Sequence, residues 1–392
     1  MKKNNFNIPN ELKEDFKIIH LDENNCDKFL TINPEIVHFF LNVEKINFNV
    51  YARKGSQILT FIQSGKNLHS STVFSMIEAM ANGEKDFSFV VERKDRKKLT
   101  SMVNILRDKK IHNLRKRLTN LDSKTLDIYS SLSAAASSIV AGGLDEELVN
   151  NVRASASYVV SNSLNSEAAL DTLSRMISCD PTLYDHSAAV ALIAAVISKN
   201  LLKTKLSSNE IEVITQSALY HDVGKSCVPN HILNKPGKFS SEEFEIMKQH
   251  TSHGERELQD AVSKGANIHP ACIRVACEHH EKFEGGGYPK NHKGRLEEDP
   301  KGIHLFTRIV SIADVYSALL MKRVYKEAFS PRDTLETMVK MSNSFDPEIF
   351  KPFALSLAAT IKKSKAEING IKNTQIKKED TGRIIFIDKK TV

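Results

Sequence analysis

Residues 217–225 read SALYHDVGK. An apolar run ends in a histidine and an aspartate side by side, His221 and Asp222, and Lys225 follows. Imidazole nitrogen and carboxylate oxygen together suit borderline divalent ions such as iron, manganese and zinc. A carboxylate has two oxygens, so Asp222 can serve two ions at once. Lys225 falls one helical turn beyond His221 on the same face, where a fixed cation can hold a phosphate. Alone, a His-Asp pair is more often a capped helix end than a metal site. The surrounding sequence decides between the two.

On both sides of this stretch the pattern is helical. SSLSAAASSIVAGG, DEELVNNVRASASYVV, SAAVALIAAVISKNL and NEIEVITQSALYH carry apolar residues near three-to-four spacing, and β-branched alternation is rare between residues 123 and 362. Residues 96–122 read as a basic, continuous helix. Its Ile111, Leu114, Leu118 and Leu121 form a narrow apolar stripe. That stripe either packs on its own domain or pairs two subunits as a short coiled coil, making a homodimer. In residues 1–95, FNVYARKG and SQILTFIQSG are strand-like runs flanking a Gly-containing turn, STVFSMIEAMAN is an amphipathic helix and DFSFVVE a strand. A regulatory or partner-binding role for this module rests on its position alone. Residues 363–392 read as a Lys-rich tail with at most one short strand. The predicted fold is mainly α: a small α+β N-terminal module (1–95), a basic linker helix (96–122), an all-helical C-terminal bundle (123–362) and the tail.

Hydrophobic content of 41% and charged content of 26% over 392 residues fit globular domains and exclude fibrous or disordered classes. The longest apolar stretch, Ala188–Ile197, is about half a membrane span. The N-terminal lysines lead into no apolar core, so neither a membrane span nor a signal peptide is expected. Five cysteines, an odd number without a CxxC pair, argue against a disulfide framework and for a reducing compartment. A soluble, cytoplasmic protein is expected. The formal charge of +7 is concentrated in Arg93–Arg117 and after Lys362. It reads either as solvated basic faces or as attraction for an anionic partner such as a nucleotide. DNA binding is not expected.

Histidine is unevenly spread. Ten of the fourteen are His186, His221, His231, His250, His253, His269, His279, His280, His292 and His304. Several sit beside acidic residues or glycines at the ends of apolar helical runs, where ligands can point into a bundle core. EHHEKFEGGGYP places His279 and His280 side by side. Neighbours on a helix diverge by about 100°. Both reach one ion only near a helix end, from a distorted turn, or with the ion between their directions. The following glycines let the backbone turn sharply toward a ligand, and Tyr288 and Pro289 fix the loop. TRIVSIADVYSAL puts Asp314 inside an apolar helix. A buried carboxylate needs a partner, and a metal would supply one.

From about His186 to Phe353 these segments come in an order that resembles the HD-GYP family, a subgroup of the HD phosphohydrolases. YDHSAAVA is similar to the family's first histidine segment. HDVGKSCVPNHILNKPGKFSSEEFEIMKQH follows HDIGK, IPD, ILxKPGxL and a helix ending in KxH. EHHEKFEGGGYP follows HHExWDGxGYP, RIVSIADVYSAL follows RIVxVADxFDAL, KRVYK follows DRPYR, and SFDPEIF follows FDPxxV. The resemblance implies two divalent ions, iron or manganese first and zinc also compatible. It assigns His186, His221, Asp222 and Asp314 to one ion, and His250, His279, His280 and the bridging Asp222 to the other. It makes Asp222 and Lys225 catalytic, with Lys225 on a phosphate. Tyr288 would shape the substrate cleft, and Arg308, Arg323 and Lys326 are weaker candidates for phosphate contact, with a surface or structural role equally open for each. The implied activity is a metal-dependent phosphodiesterase opening cyclic di-GMP to pGpG, and on to GMP, or acting on a related 3′,3′-cyclic dinucleotide such as cyclic GMP-AMP.

Departures from the family pattern matter too. Members with a third metal carry a Glu where this chain has Thr182, so two ions are expected. Asn230, Phe283, Glu284, Ser317 and a longer loop over 291–302 also differ. None removes an expected ligand, but they bear on rate and substrate choice. The alternative from a different class is a catalytically weak cyclic-dinucleotide receptor or scaffold that contacts diguanylate cyclases through the GYP loop. Ser317 and Asn230 favour it; the intact ligand set weighs against it. His231, His253, His269, His292, His304 and Cys227 match no ligand position and read as surface or structural.

Overall fold

In the computed structural model, which describes residues 18–21, 28–32, 37–81, 87–117, 121–140, 144–179, 185–233, 235, 237–321, 329–372, 374–378 and 384–388, the N-terminal region builds a five-stranded antiparallel sheet. The strands are β1 (Ile18–His20), β2 (Phe29–Thr31), β3 (Val50–Lys54), β4 (Gln57–Ile62) and β5 (Phe87–Glu92), ordered β1-β4-β3-β5-β2. β3 and β4 close on Gly55 in the left-handed region, φ 58°, a conformation glycine adopts without strain. Helix α1 (Ser70–Ala81) follows, and Phe39, Phe40, Phe48, Val50, Val73 and Phe89 form a core of their own. The strand-like runs picked out in the sequence are β3, β4 and β5; the three-residue strands β1 and β2 are too short to stand out in the same way.

Helix α2 (Arg96–Arg117) places Leu99, Val103 and Leu106 of its first half in that same core. Its Ile111 and Leu114 are buried in one cluster with Leu126, Tyr129 and Leu132, and Leu121 packs against the same cluster. Among the described residues the stripe therefore packs within the chain, as the first of its two readings expects. Leu118 lies outside the described residues.

The helical part runs α3 (Ser123–Val140), α4 (Glu146–Ser161), α5 (Ser166–Cys179), α6 (His186–Val196), α7 (Ser208–Tyr220), α8 (Asn230–Leu233), α9 (Ser241–Lys248), α10 (His250–Ser263), α11 (Pro270–Glu278), α12 (Leu305–Leu320), α13 (Pro331–Lys340) and α14 (Pro347–Lys372). α6 is the axis, with α3, α7 and α12 packed around it. Every residue from Ala188 to Ile197 is buried. That is why this stretch reads as an unbroken apolar run and not as a stripe. Ser207 with Glu210 and Ser240 with Glu243 form capping boxes at the starts of α7 and α9. After α14, β6 (Thr374–Lys378) pairs with β7 (Ile384–Asp388). One strand at most was expected there. TQIKK carries a single apolar residue, so only pairing with its partner marks it as a strand. No helix among the described residues is long and apolar enough to cross a membrane.

Helix α7 stops at Tyr220, and the chain tightens into a 3₁₀ turn over Val223–Cys227. Lys225 therefore sits on that tight turn and not one α-helical turn beyond His221, as the sequence had suggested. The turn lies against the start of α10. A Cβ on Gly224 would stand 2.1 Å from the His250 carbonyl oxygen and 2.3 Å from the Gly254 nitrogen. Two backbones touch here, so only glycine fits. Gly224→Ala must push α10 away from the His221–Asp222 turn. A loss of at least about 1–3 kcal/mol is expected, read as a lower urea midpoint; an unchanged midpoint would contradict the contact.

Candidate metal centre

Five elements bring the expected residues together. His186 opens α6, where Asp185 caps the helix by accepting from the Ala188 N–H. His221 and Asp222 follow α7, and His250 opens α10. His279 and His280 follow α11, and Asp314 lies within α12. The adjacent histidines meet the helix-end condition: α11 stops at Glu278 and the chain turns.

The side chains form two groups. Ligand atoms of His186, His221 and Asp222 lie within 4.8 Å of one another, as do those of His250, His279 and His280. Asp222 stands between them. Its Oδ2 is 3.0 Å from His221 Nε2 and 3.7 Å from His186 Nε2. Its Oδ1 is 3.5 Å from His250 Nε2 and 3.8 Å from His279 Nε2. Asp314 Oδ1 joins the first group, 3.0 Å from His186 Nε2 and 3.9 Å from His221 Nε2.

The outer ring nitrogens are held. Nδ1–H of His221 donates to the Ala218 carbonyl at 2.7 Å, and that of His250 to the Met247 carbonyl at 2.7 Å. Nδ1–H of His279 donates to the carbonyls of Val275 and Ala276 at 3.2 and 3.1 Å. With the proton on Nδ1, each Nε2 presents a lone pair inward. The Nε2 atoms of His250 and His279 then face each other at 3.3 Å. His221 Nε2 and Asp222 Oδ1 are buried and have no hydrogen-bond partner among the described residues. Lone pairs and carboxylate oxygens converging in a buried space repel one another unless cations lie between them. The donor set therefore fits divalent metal ions, with neutral imidazoles and ionised carboxylates as ligands.

The electrostatics agree with that fit at His250, His279, His280 and both carboxylates, while His221 is shifted the other way. Burial pushes the imidazoles of His250 and His279 down, His279 far down, and takes His280 to about 4. For His221, burial opposes the charged form, but Asp222 and Asp314 outweigh it and raise the value. Burial also opposes the ionised forms of the two carboxylates. It is outweighed for Asp222 by His221 and Lys225, and for Asp314 by His186 and His221, so both stay ionised well below the usual range.

Other residues support this centre in ways the sequence had not shown. Ser317 had read as a departure; its Oγ lies 2.9 Å from His186 Nδ1 and orients that ring. Glu278 and Glu281, either side of the histidine pair, anchor the following loop. Glu278 bonds Arg274 at 2.8 Å and Lys290 at 3.3 Å, and Glu281 accepts the Lys290 N–H at 2.6 Å. His269 and His304 cap α11 and α12.

At the outer side, Lys225 Nζ bonds Asp222 Oδ2 at 2.5 Å. Tyr288 lies over His280, with centroids 4.8 Å apart and planes at 31°. Phe244 meets Tyr288 edge-on at 6.2 Å, and Lys248 Nζ lies 5.5 and 5.8 Å from the two rings. Phe244 is 44% exposed. Its sequence signal, an apolar residue on a mostly polar helix, was present but not used. Of the two readings open for Arg308, the structure supports the structural one: its guanidinium is buried and bonds Asp346, Glu297 and the Ile303 carbonyl. Asp346 also takes both arms of Arg295 at 3.1 Å, so this cluster ties the 291–302 loop to the start of α14. Arg323, Lys326 and Thr182 lie outside the described residues.

A family model described as an HD domain matches residues 171–349. A cyclic di-GMP phosphodiesterase of Pseudomonas aeruginosa is 32% identical over 185 residues, covering 47% of this chain and 42% of the relative. A cyclic di-GMP phosphodiesterase of Vibrio cholerae is 39% identical over 153 residues, covering 38% and 30%. A 3′3′-cGAMP-specific phosphodiesterase of the same organism is 34% identical over 145 residues, covering 37% and 26%. The chain thus spans less than half the length of these curated relatives.

Metal retention should depend on pH with a definite sign. His250, His279 and His280 have folded values below the ordinary histidine value of about 6.5. Their contribution to stability is present above that value and is lost as pH falls through the folded values, about 4 for His280. His221 acts in the opposite direction but is one against three. Bound metal and melting temperature should both hold near pH 7 and fall on acidification toward about 4, measured by elemental analysis and calorimetry. A melting temperature that rises on acidification would contradict this.

Proposed function

We propose that this chain, whose residues 171–349 match a family model described as an HD domain, is a two-metal phosphodiesterase of the HD-GYP type that hydrolyses a cyclic dinucleotide. The observation that carries the reading is Asp222, with one carboxylate oxygen turned to each histidine group. His186, His221, Asp222 and Asp314 would hold one ion, and His250, His279, His280 and Asp222 the other. Iron or manganese is the first choice, since nitrogen and oxygen donors without thiolate suit both.

Bound ions would supply a water nucleophile near neutral pH and neutralise charge on the phosphate. The chain's own residues do the rest. Backbone carbonyls and Ser317 hold the rings in one orientation. Lys225 adds a positive charge beside the carboxylate, where a phosphate oxygen gaining charge would be stabilised. In the reaction, water oxygen adds to phosphorus, the P–O3′ bond breaks and the 3′ oxygen leaves with a proton. Cyclic di-GMP would give pGpG. The Tyr288 and Phe244 rings, with Lys248 beside them, offer a surface on which a purine can stack. The names of the matched relatives support this substrate class.

The test is direct. Protein purified anaerobically with iron or manganese should convert cyclic di-GMP to pGpG, followed by chromatography. Asp222→Ala should abolish turnover; retained metal-dependent hydrolysis in that variant would sink the assignment. Binding without product in the wild type would favour the receptor reading. Phe244→Ala should remove about 1–3 kcal/mol of base stacking, raising KM by roughly tenfold with kcat little changed. An unchanged KM would take Phe244 out of the site.

A further inference from the structure

Linker helix α2 carries a buried arginine that the proposed chemistry does not use. Arg107 is 4% exposed. Its Nη1 donates to the Ser133 carbonyl at 2.8 Å and to Ser137 Oγ at 2.6 Å on α3. Its Nη2 lies 3.5 Å from Asp185 Oδ2. Asp185 is the residue before His186. It is gripped on several sides: its Oδ1 accepts the Ala188 N–H at 3.1 Å, Ser133 Oγ stands 3.3 Å from its Oδ2, and its own N–H donates to Tyr129 Oη at 2.7 Å. On the opposite side, the Arg107 guanidinium lies over the ring of Phe39, 5.3 Å from its centroid. Phe39 belongs to the buried core beneath the N-terminal sheet.

A continuous set of contacts therefore runs from the sheet module to the first residue of α6: Phe39, Arg107, Asp185, His186. A guanidinium is a planar, permanently charged fork. Placed here it supplies the counter-charge for a helix-capping carboxylate and fixes the direction from which His186 enters its group. We propose that Arg107 is a positioning residue for the His186 group, and that the N-terminal module bears on that group through Phe39 and Arg107. The inference rests on reading the His186 group as a metal site and adds how that half of the centre is held.

The test uses the full chain and manganese as probe. Binding isotherms and urea midpoints are measured for the wild type, Arg107→Gln, Asp185→Asn, Phe39→Leu and His250→Ala. Two binding events are expected in the wild type. Arg107→Gln should weaken one of them about 10-fold or more, the usual effect of removing support from behind a ligand, and leave the other unchanged. The weakened event should be the one that survives in His250→Ala. Asp185→Asn should weaken the same event, and Phe39→Leu should weaken it in the same direction but less. If Arg107→Gln fails to unfold cooperatively, Asp185→Asn decides, because it leaves the Arg107 bonds to Ser133 and Ser137 in place. Two wild-type events left unchanged by Arg107→Gln and Asp185→Asn would overturn the inference alone. Equal weakening of both events in step with the urea midpoint would also overturn it, since that is a general loss of stability. A wild type that binds no manganese would overturn the metal reading itself.

Discussion

The charge on Asp222 is buried, and much of the helical architecture serves to make that tolerable. A lone carboxylate away from water would take up a proton. Here two groups of imidazoles stand on its two sides and Lys225 bonds it from a third. No single element can surround an anion in this way. α6, α7, α10, α11 and α12 each bring part of the shell, and all but α12 do so from a helix end. Helix ends suit the task because a terminal side chain is not committed to the interhelical core and the local carbonyls are free to hold an imidazole. His221, His250 and His279 each use a carbonyl three or four residues back in this way.

The core makes the arrangement rigid. α6 is buried from Ala188 to its end and rich in alanine, so its neighbours approach closely. Ring position is thereby inherited from helix position. The same holds at the rim, where Asp346 gathers Arg295 and Arg308 and ties the long loop to the last large helix.

Much of this was legible in the sequence, for identifiable reasons. The helical bundle showed through periodicity, strands β3 and β4 as strand-like runs around a glycine turn, and β5 as a further such run. The candidate ligands were legible because chemistry demands particular residue types, and histidines beside acidic residues at helix ends are conspicuous. Residues acting through geometry were not. Ser317 read as a loss, since only its distance to His186 reveals a hydrogen bond. Arg308 read as a phosphate contact or a structural residue with nothing to choose between them, since an arginine in sequence does not show whether carboxylates already surround it. The stripe on α2 fitted both an internal and an external partner; packing chose the internal one. Strands of three residues, and a strand with one apolar side chain, carry too little pattern for any reading.

The meeting of Gly224 with His250 and Gly254 bears on how the protein can change over time. The interval between the two histidine groups is gauged there by main chain on main chain, not by side chains filling a gap. Side chains drift readily under mutation; peptide units do not change size. The bundle interior is thus free to exchange one aliphatic residue for another, trading robustness up or down, while the spacing across the centre stays fixed. Durability of the scaffold is spread over many side chains, whereas calibration of the site is concentrated at one main-chain contact that an added methyl group would break.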